Sequence, residues 1–294
     1  MIHVAPQITT GIVMDTTMQL SIAEINRALE IKRAVEADDR VVPISDFSYV
    51  QYALTSGEES IECICERVYL MQCFREEYRI HDTVNEGVDL ILAATVNHPG
   101  YLLAVEHLVS TQNYARILDL AAFYPSSVKT DENLRVVMGY NYYVWQAVFP
   151  NFQAIRNGMT TIVECMDTTF DNFDHDVLEK LMVHLYKPYP KNQLEFFFVN
   201  SPTVVNIIWG LMKRTVPFRE RRKYILGHHV PGFEGRRIDA LYKLPNEDVA
   251  RVRLLNSVLF LLRLREKNEV SFSLDPLIPP PVQQHPVQDQ NQEA

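Results

Sequence analysis

A cluster of basic residues is the first feature of this chain that could do chemistry. Six basic residues stand within eleven positions against one acid, Glu220, although the whole chain has a formal net charge of -9. Such side chains bind anionic groups, so they indicate an anionic partner. Because bulk binding to nucleic acid needs a net basic footprint, we expect no nucleic-acid partner. The basic cluster consists of Lys213, Arg214, Arg219, Arg221, Arg222 and Lys223.

Residues suited to catalysis or metal binding follow no known pattern. The pair His228-His229 lacks carboxylates at metal-ligand spacing, and the sequence contains neither a glycine-rich phosphate loop nor a Gly-x-Ser-x-Gly motif. Three carboxylates near the end of a predicted strand, Glu164, Asp167 and Asp171, are interpreted as a solvated loop. The sequence therefore predicts no catalytic residue, no metal site and no cofactor, and we do not expect an enzyme.

The elements in the first third of the chain are predicted to be helices. Ser21 and Glu24 have the spacing of a capping box, and apolar stripes at helical spacing follow as far as Phe74. Further helices are predicted over 84–94 and 101–109, separated by the turn Asn-His-Pro-Gly. We expect an N-terminal extension over 1–20 and a helical domain over 21–110.

From about residue 113, predicted strands alternate with predicted helices. Strands are expected at 115–120, 160–165, 194–199 and 224–226, and the helices between them begin near Thr130, Asp174 and Val204. Strands connected through helices pair in parallel through right-handed crossovers. The predicted fold class is therefore α/β, with the helical domain followed by a largely parallel sheet flanked by helices.

The C-terminal part of the chain contains a last helix and then a change in composition. The helix is predicted over about 246–266, so the sheet-containing domain is assigned to 111–270. The segment 271–294 is rich in proline and glutamine and has almost nothing to bury, so it is predicted to be disordered.

No segment of the sequence predicts a membrane span or a secretion signal. The longest apolar runs, such as 196–199, are far shorter than the ~20 residues that a helix needs to cross a bilayer. The first residues lack the basic and apolar regions of a signal peptide. Four cysteines are too few for a disulfide framework, and reduced thiols are the simpler interpretation. We expect a cytoplasmic protein.

The segment 189–228 resembles the lipid-binding CRAL-TRIO family. The shared order is Tyr-Pro at 189–190, the apolar strand LEFFFV, Asn-Ser-Pro at 200–202, an apolar helix with Lys213 near its end, and a basic stretch before a short strand. The resemblance extends to Phe-Tyr-Pro-Ser at 123–126, to the Asn-Gly strand at 157–163 and to the helical segment 45–80. It covers about residues 45–228.

The resemblance implies a hydrophobic pocket between the sheet and a mobile gate helix, here 202–216. Such a pocket holds a lipophilic ligand, which is a retinoid, a tocopherol or another lipid. Each buried CH₂ contributes about 0.8 kcal/mol, so a ligand of this kind passes directly between membrane and protein. The implied pocket and gate residues are Ile162, Phe198, Val204, Ile207, Ile208, Leu211 and Met212.

Beside the gate, the basic cluster is expected to dock the protein transiently on an anionic membrane. Each Lys or Arg near such a surface contributes about 1 kcal/mol. The family's phosphoinositide-binding basic pair matches Arg219 and Lys223, so phosphatidylinositol bisphosphate is a candidate lipid, and Lys191 joins the predicted anionic-lipid residues. A second basic pair of the family falls on Asn192 and Leu194 and is not kept. Phosphatidylinositol-exchanging members have an acidic residue at the position of Lys191, which argues against phosphatidylinositol as the cargo.

Three interpretations of the whole chain remain open at this point. The first is a protein that binds and transfers a lipid. The second is a degenerate CRAL-TRIO module that serves as a protein-interaction or signalling scaffold without a ligand, and two departures favour it: YVQYALTS replaces the family's arginine-rich helix, and the segment after His228 matches nothing in the family. The third is an α/β enzyme. For the basic cluster a solvated helix end competes with membrane docking, and the apolar helix after Pro202 also fits a core helix.

Overall fold

The computed structural model describes most of the chain between residues 20 and 275. The described residues are 20–81, 83–97, 101–108, 112–177, 180, 189–190, 194–212, 224–226 and 247–275. For 194, 211–212, 224–226 and 247–250 the secondary structure is described and the side chains are not. Residues 1–19 of the predicted extension, Lys191, the basic cluster and residues 276–294 of the predicted tail lie outside the described residues.

Helices form the N-terminal part, as the sequence predicts. They are α1 (Ile22–Glu36), α2 (Asp46–Thr55), α3 (Ile61–Glu77) and α4 (Val84–Asn97). The first three begin after a serine, Ser21, Ser45 or Ser60, whose hydroxyl accepts an amide hydrogen that has no partner within the helix. At Ser21 the Glu24 carboxylate also accepts the Ser21 amide hydrogen at 2.7 Å, so the capping box is confirmed.

Among the described residues, five strands form one sheet in the order β1-β2-β3-β4-β5. They are β1 (Leu102–Leu108), β2 (Asn113–Asp119), β3 (Met159–Glu164), β4 (Leu194–Val199) and β5 (Tyr224–Leu226). β1 is antiparallel to β2, and every other neighbouring pair is parallel. The largely parallel sheet predicted from the alternation of elements is therefore confirmed.

The first strand corrects the sequence interpretation. The helix predicted over 101–109 is wrong, because 102–108 form β1, which pairs with β2 from Leu102 opposite Leu118 to Leu108 opposite Asn113. A short apolar run fits a helix or a strand equally well by periodicity, and hydrogen bonds to the free edge of β2 decide between them. The sheet thus begins inside the segment 21–110 that the sequence assigns to the helical domain.

Helices follow most of the strands. They are α5 (Asp131–Val148), α6 (Phe152–Asn157), α7 (Thr203–Met212) and α8 (Glu247–Ser271). The predicted cap of α5 is confirmed, since the Thr130 hydroxyl accepts the Asn133 amide hydrogen at 3.2 Å. The Asp174 carboxylate likewise accepts the amide hydrogens of Asp176 and Val177. Most of the helix predicted after Asp174 lies outside the described residues.

The two faces of the sheet have different surroundings. On the first, which we call the helix-covered face, Met159, Val163 and Phe196 belong to the same apolar core as Trp145 of α5 and Val205 of α7. With right-handed crossovers, helices that connect parallel strands in this order lie on one side of the sheet. The second, which we call the opposite face, carries a separate apolar cluster of Ala104, Leu108, Ala115, Ile117, Ile162, Phe197 and Val199.

Helices α4 and α5 approach each other closely at two glycines. A Cβ atom at Gly87 would lie 2.6 Å from Cδ1 of Tyr143, and one at Gly139 would lie 2.5 Å from Cδ1 of Leu90. Both distances are shorter than non-bonded carbon atoms tolerate in a packed interior. The absence of side chains at these positions therefore sets the spacing between the N-terminal helices and the helix that covers the sheet.

Helix α8 closes the structure by contacting α2, α4, α5 and β1. It continues past the predicted end at residue 266 to Ser271. Arg265 and Asn268, which look like surface residues in the sequence, are buried and donate hydrogen bonds to the carbonyl oxygens of Phe149 and Pro150 at 2.9 and 2.8 Å. These two bonds hold the last turns of the helix inward.

Candidate functional site

A buried carboxylate holds the turn that links β4 to α7. Glu164, the last residue of β3, is fully buried. Its carboxylate accepts the amide hydrogens of Cys165 and Met166 at 2.9 and 3.0 Å. The side-chain amide of Asn200 donates to both Glu164 oxygens, at 3.1 and 2.9 Å. Asn200 itself has a φ of 51°, in the left-handed region that asparagine tolerates better than most residues. The start of α7 is thereby tied to the end of β3.

The solvated loop predicted for three carboxylates is wrong at Glu164. Asp167 and Asp171 are exposed as expected, whereas Glu164 is excluded from solvent. An ionised carboxylate can be buried only where hydrogen-bond donors replace water, and the Asn200 amide and two backbone amides do so here. The sequence contains Asn200 in its Asn-x-Pro pattern, but only the fold identifies the group that Asn200 binds.

Cys165 lies beside this carboxylate and is not suited to act as a nucleophile. Burial raises the pKa of its thiol to about 12, and the charges of Glu164 and Asp119 add to the rise. The thiol donates to the carbonyl oxygen of Val163, with Sγ and O 3.3 Å apart. Because the thiolate is the reactive form, a thiol that stays protonated at neutral pH is inert.

Helix α7 is apolar both toward the sheet and toward solvent. Val205 and Ile208 are buried, whereas Ile207 is 50% exposed. The ring centroid of Trp209 lies 6.2 Å from that of Phe198 on β4. A Cβ atom at Gly210 would meet no other atom within 4 Å, so the helix borders open space at this residue. The helix therefore combines an anchored side with an exposed apolar side.

The structure separates two of the residues predicted to line one pocket. Ile162 lies on the opposite face, in register with Phe197, and belongs to the apolar cluster there. Phe198 is the next residue along β4 and therefore points to the helix-covered face, where it packs against the main core. One cavity on one face of the sheet cannot be lined by both side chains.

The predicted gate residues all belong to α7. Val204 packs against the main core, and Ile208 is buried. Ile207 points outward. Leu211 and Met212 complete the helix, and their side chains lie outside the described residues. The structure thus brings Phe198, Val204 and Ile208 to one side of the sheet.

Arg116 on β2 is a buried polar residue that the sequence interpretation leaves aside. Its Nε donates to Oγ1 of Thr161 on β3 at 2.9 Å, and its Nη1 donates to Oδ1 of Asn141 on α5 at 3.2 Å. The side chain therefore lies between the sheet and α5. The sequence does contain a sign of this burial. Arg116 is a charged residue inside the apolar strand ARILDL, and residues on both faces of such a strand are expected to be buried.

A comparison with protein families decides the identity of the sheet-containing part. The model described as the CRAL/TRIO domain matches residues 114–226, which run from β2 to the end of β5. Residues 114–226 are a CRAL/TRIO domain. The resemblance seen in the sequence is confirmed over these residues, and CRAL/TRIO domains belong to a family of lipid-binding and lipid-transfer proteins. The match does not reach the helical segment 45–80, where the resemblance stays a prediction.

Comparisons with individual proteins add little to the family match. Among solved structures, the chain is similar to the one titled "Crystal structure of Sfh5", with 16% sequence identity, coverage of 70% of this chain and 81% of that chain, and a TM-score of 0.37. No curated protein matches the chain.

The CRAL/TRIO match indicates no enzymatic family. Within the described part of the chain, no group of three or more His, Cys, Asp or Glu residues is arranged to hold a metal ion. None of the helices described there is both long and apolar enough to span a bilayer.

Aromatic side chains of α3, α5 and the segment 189–190 form a cluster in the main core. The ring centroids of Trp145 and Tyr189 are 4.4 Å apart, and the ring of Tyr142 lies 6.2 Å from Tyr189. Phe74 of α3 is also 6.2 Å from Tyr189, so the cluster connects the N-terminal helices to the domain. Ring pairs at such distances attract each other beyond the apolar area they bury.

Proposed function

We propose that this protein binds one lipophilic molecule in the CRAL/TRIO domain, beneath α7, and exchanges it with anionic membranes. The observation that carries the proposal concerns α7, which is an apolar helix with Ile207 half-exposed. In the sequence, the basic cluster begins directly after the last residue of this helix. An exposed apolar side chain next to positive charge is the combination that binds membrane interfaces.

The proposed pocket lies on the helix-covered face, where Phe198 of β4 meets α7. Phe198 and Val204 pack against the main core, and Ile208 is buried. Together with Leu211 and Met212 they are the proposed pocket and gate residues, whereas Ile162 supports the sheet from the opposite face. The proposed cargo is a retinoid, a tocopherol or another lipid of that kind.

The proposed membrane contact combines Ile207 with positive charge. Lys191 and the basic cluster attract the anionic leaflet, and Arg219 and Lys223 are the proposed phosphoinositide contacts. Six cations contribute several kcal/mol at about 1 kcal/mol each, which suits reversible docking and is too little for permanent anchoring. The protein would then work in the cytoplasm and meet membranes transiently.

Identification of a bound molecule tests the cargo proposal. We expect native mass spectrometry of the purified full chain to show one molecule of a lipophile, and solvent extraction to recover it. We also expect the protein to speed the movement of the recovered lipid between donor and acceptor vesicles. An empty chain that moves no lipid would refute the proposal.

Replacing Ile207 by aspartate is expected to weaken vesicle binding by roughly 10- to 100-fold, because the change removes an aliphatic side chain that docking would bury in the membrane interface and adds a negative charge that the anionic lipids repel. Val252 on α8 is 55% exposed, so Val252→Asp is the matched control and should bind as the unaltered protein does. Sedimentation with phosphatidylcholine vesicles, with and without phosphatidylserine, measures both.

The charges of the docking surface need a separate variant. Arg219→Glu with Lys223→Glu should reduce binding to the phosphatidylserine vesicles by at least about 30-fold and reduce its dependence on salt. If this variant and Ile207→Asp both bind normally, the docking surface lies elsewhere.

A scaffold without a ligand is the second candidate function. The close packing of Trp145 against Tyr189 favours it, since rings in contact occupy space that a ligand would need. In that case the extraction recovers no lipid, and added lipids leave the melting temperature unchanged.

A further inference from the structure

Arg116 is a buried cation with no carboxylate partner among the described residues. Only 6% of its surface is exposed. Its two hydrogen bonds go to neutral acceptors, Thr161 and Asn141. A guanidinium has five N–H donors, so three of them have no acceptor in the described part of the chain. An ionised group in this position is costly to bury unless an anion pairs with it.

Arg265 is a second buried arginine, and its contacts can be compared with those of Arg116. It is also 6% exposed, and it donates to the carbonyl oxygen of Phe149 at 2.9 Å and to the side-chain oxygen of Gln51 at 3.0 Å. A carboxylate oxygen of Glu269 lies 3.8 Å from its Nε, and its guanidinium carbon stands 4.9 Å from the centre of the Phe47 ring. Arg116 lacks the carboxylate and the ring.

Two tyrosines lie near the Arg116 charge. Burial raises the pKa of Tyr140 well above its usual value, and the positive charge of Arg116 opposes the rise. Burial also raises the pKa of Tyr101, and the positive charge of Arg116 opposes that rise. Both hydroxyls are therefore protonated at neutral pH, so neither supplies a negative charge that would pair with Arg116.

The sheet register connects this position to the proposed pocket. Arg116 pairs with Thr161 on β3, and Thr161 pairs with Phe196 on β4, so the three side chains form a row on the helix-covered face. Phe198, which meets Trp209 of α7, lies two residues further along β4 on the same face. Since neighbouring strands are about 4.8 Å apart, Arg116 is separated from β4 by roughly 10 Å, a distance that a short stretch of hydrocarbon chain spans.

We propose that Arg116 binds the oxyanion of a ligand, a carboxylate or phosphate group, between β2 and α5. Thr161 and Asn141 orient the guanidinium. An oxyanion there neutralises the buried charge, and its apolar chain lies across the sheet toward α7. The inference that the cargo is an acidic lipid rests on the proposed function, whereas the anion site itself does not.

The test compares ligands that differ only in charge. Oleate and oleyl alcohol share one hydrocarbon chain, and inorganic phosphate supplies an oxyanion without a chain. We expect the unaltered full chain to bind oleate more tightly than oleyl alcohol, and Arg116→Met to lose on the order of 10- to 100-fold in oleate affinity with little change for oleyl alcohol. Calorimetric titration and the ligand-induced rise in melting temperature measure the affinity of each protein for each ligand.

Two further variants separate the charge from the fold. Arg116→Lys keeps a cation and should retain part of the preference for oleate. Thr161→Val removes a hydrogen-bond partner without removing the charge, so it should keep the preference even where it lowers the melting temperature. Without ligand, Arg116→Met should lose less stability than Arg265→Met, because removing a buried charge that has no carboxylate partner offsets part of the hydrogen bonds lost to Thr161 and Asn141.

Each outcome separates this inference from the proposed function. If oleate and oleyl alcohol bind equally well and Arg116→Met changes neither, the lipid function stands and the oxyanion site is refuted. If phosphate is the only one of the three ligands that raises the melting temperature, and does so for the unaltered chain but not for Arg116→Met, the site binds a free anion and the inference of an acidic lipid cargo is refuted. If none of the three ligands binds any variant, the oxyanion site is refuted, and the extraction experiment alone decides the lipid proposal.

Discussion

Replacing Arg265 by methionine is expected to lower the free energy of unfolding by about 3–5 kcal/mol. The carbonyl oxygen of Phe149 and the side-chain oxygen of Gln51 would each lose a buried donor, at about 1–3 kcal/mol apiece. The cation also stands over the Phe47 ring, an interaction that contributes about 0.5–2 kcal/mol. Because Gln51 lies on α2 and Phe149 follows α5, one side chain joins α8 to two other parts of the structure.

Urea unfolding followed by circular dichroism measures the loss at Arg265. Arg263→Met is the matched control, since Arg263 is exposed on the same helix and its replacement should change the free energy of unfolding by less than about 0.5 kcal/mol. Hydrogen exchange adds a local readout, because the amides of α8 should exchange faster in Arg265→Met alone. Equal losses in the two variants would show that Arg265 has no special part in holding α8.

Replacing Glu164 by leucine is expected to lower the free energy of unfolding by about 3–5 kcal/mol as well, for a different reason. The leucine fits a buried position, but it leaves the amides of Cys165 and Met166 and the side chain of Asn200 without their acceptor. The loss should be concentrated at the start of α7. We therefore expect the amides of Val205 and Asn206, which bond to the Pro202 carbonyl, to exchange faster with solvent.

Two companion variants make the Glu164 result specific. Glu164→Gln keeps one acceptor oxygen and places an amide donor against Asn200, so its loss should be smaller, about 1–3 kcal/mol. Asp171→Asn changes an exposed carboxylate of the same loop and should change stability by less than about 0.5 kcal/mol. If Glu164→Leu unfolds at the same urea concentration as Asp171→Asn, the carboxylate does not hold the turn.

The Glu164 turn also bears on the proposed function. A gate helix needs a fixed point about which it moves. The hydrogen bonds between Glu164 and Asn200 provide such a point in the turn just before α7. Variants that loosen this turn should alter the rate of lipid exchange between vesicles more than the amount of lipid bound, because the pocket residues themselves are unchanged.

Much of the fold follows from local patterns in the sequence. The serine caps before α1 and the threonine cap before α5 act through groups within three residues, so the sequence alone locates these helix starts. The apolar strand Leu194–Val199 and its place in a parallel sheet follow from the alternation of strands and helices. The CRAL/TRIO domain was also recognisable, because its motifs occur in a fixed order along the chain.

The parts that the sequence did not predict depend on groups that are distant along the chain. Strand β1 exists because β2 offers it hydrogen bonds, and Glu164 is buried because Asn200, thirty-six positions later, replaces its water. The separation of Ile162 from Phe198 follows from the register between β3 and β4. Arg116 is buried only because α5 packs above β2 and brings Asn141 to it.

The sequence by itself determined several helix starts, the strands β2 to β5 and the family that residues 114–226 match, since each of these depends on residues close together in the chain. The tertiary structure decided which polar groups are buried and which apolar residues share one face of the sheet. Burial removes water from a group at a cost that only a partner in space can offset, and that partner is known only when the strands and helices have packed.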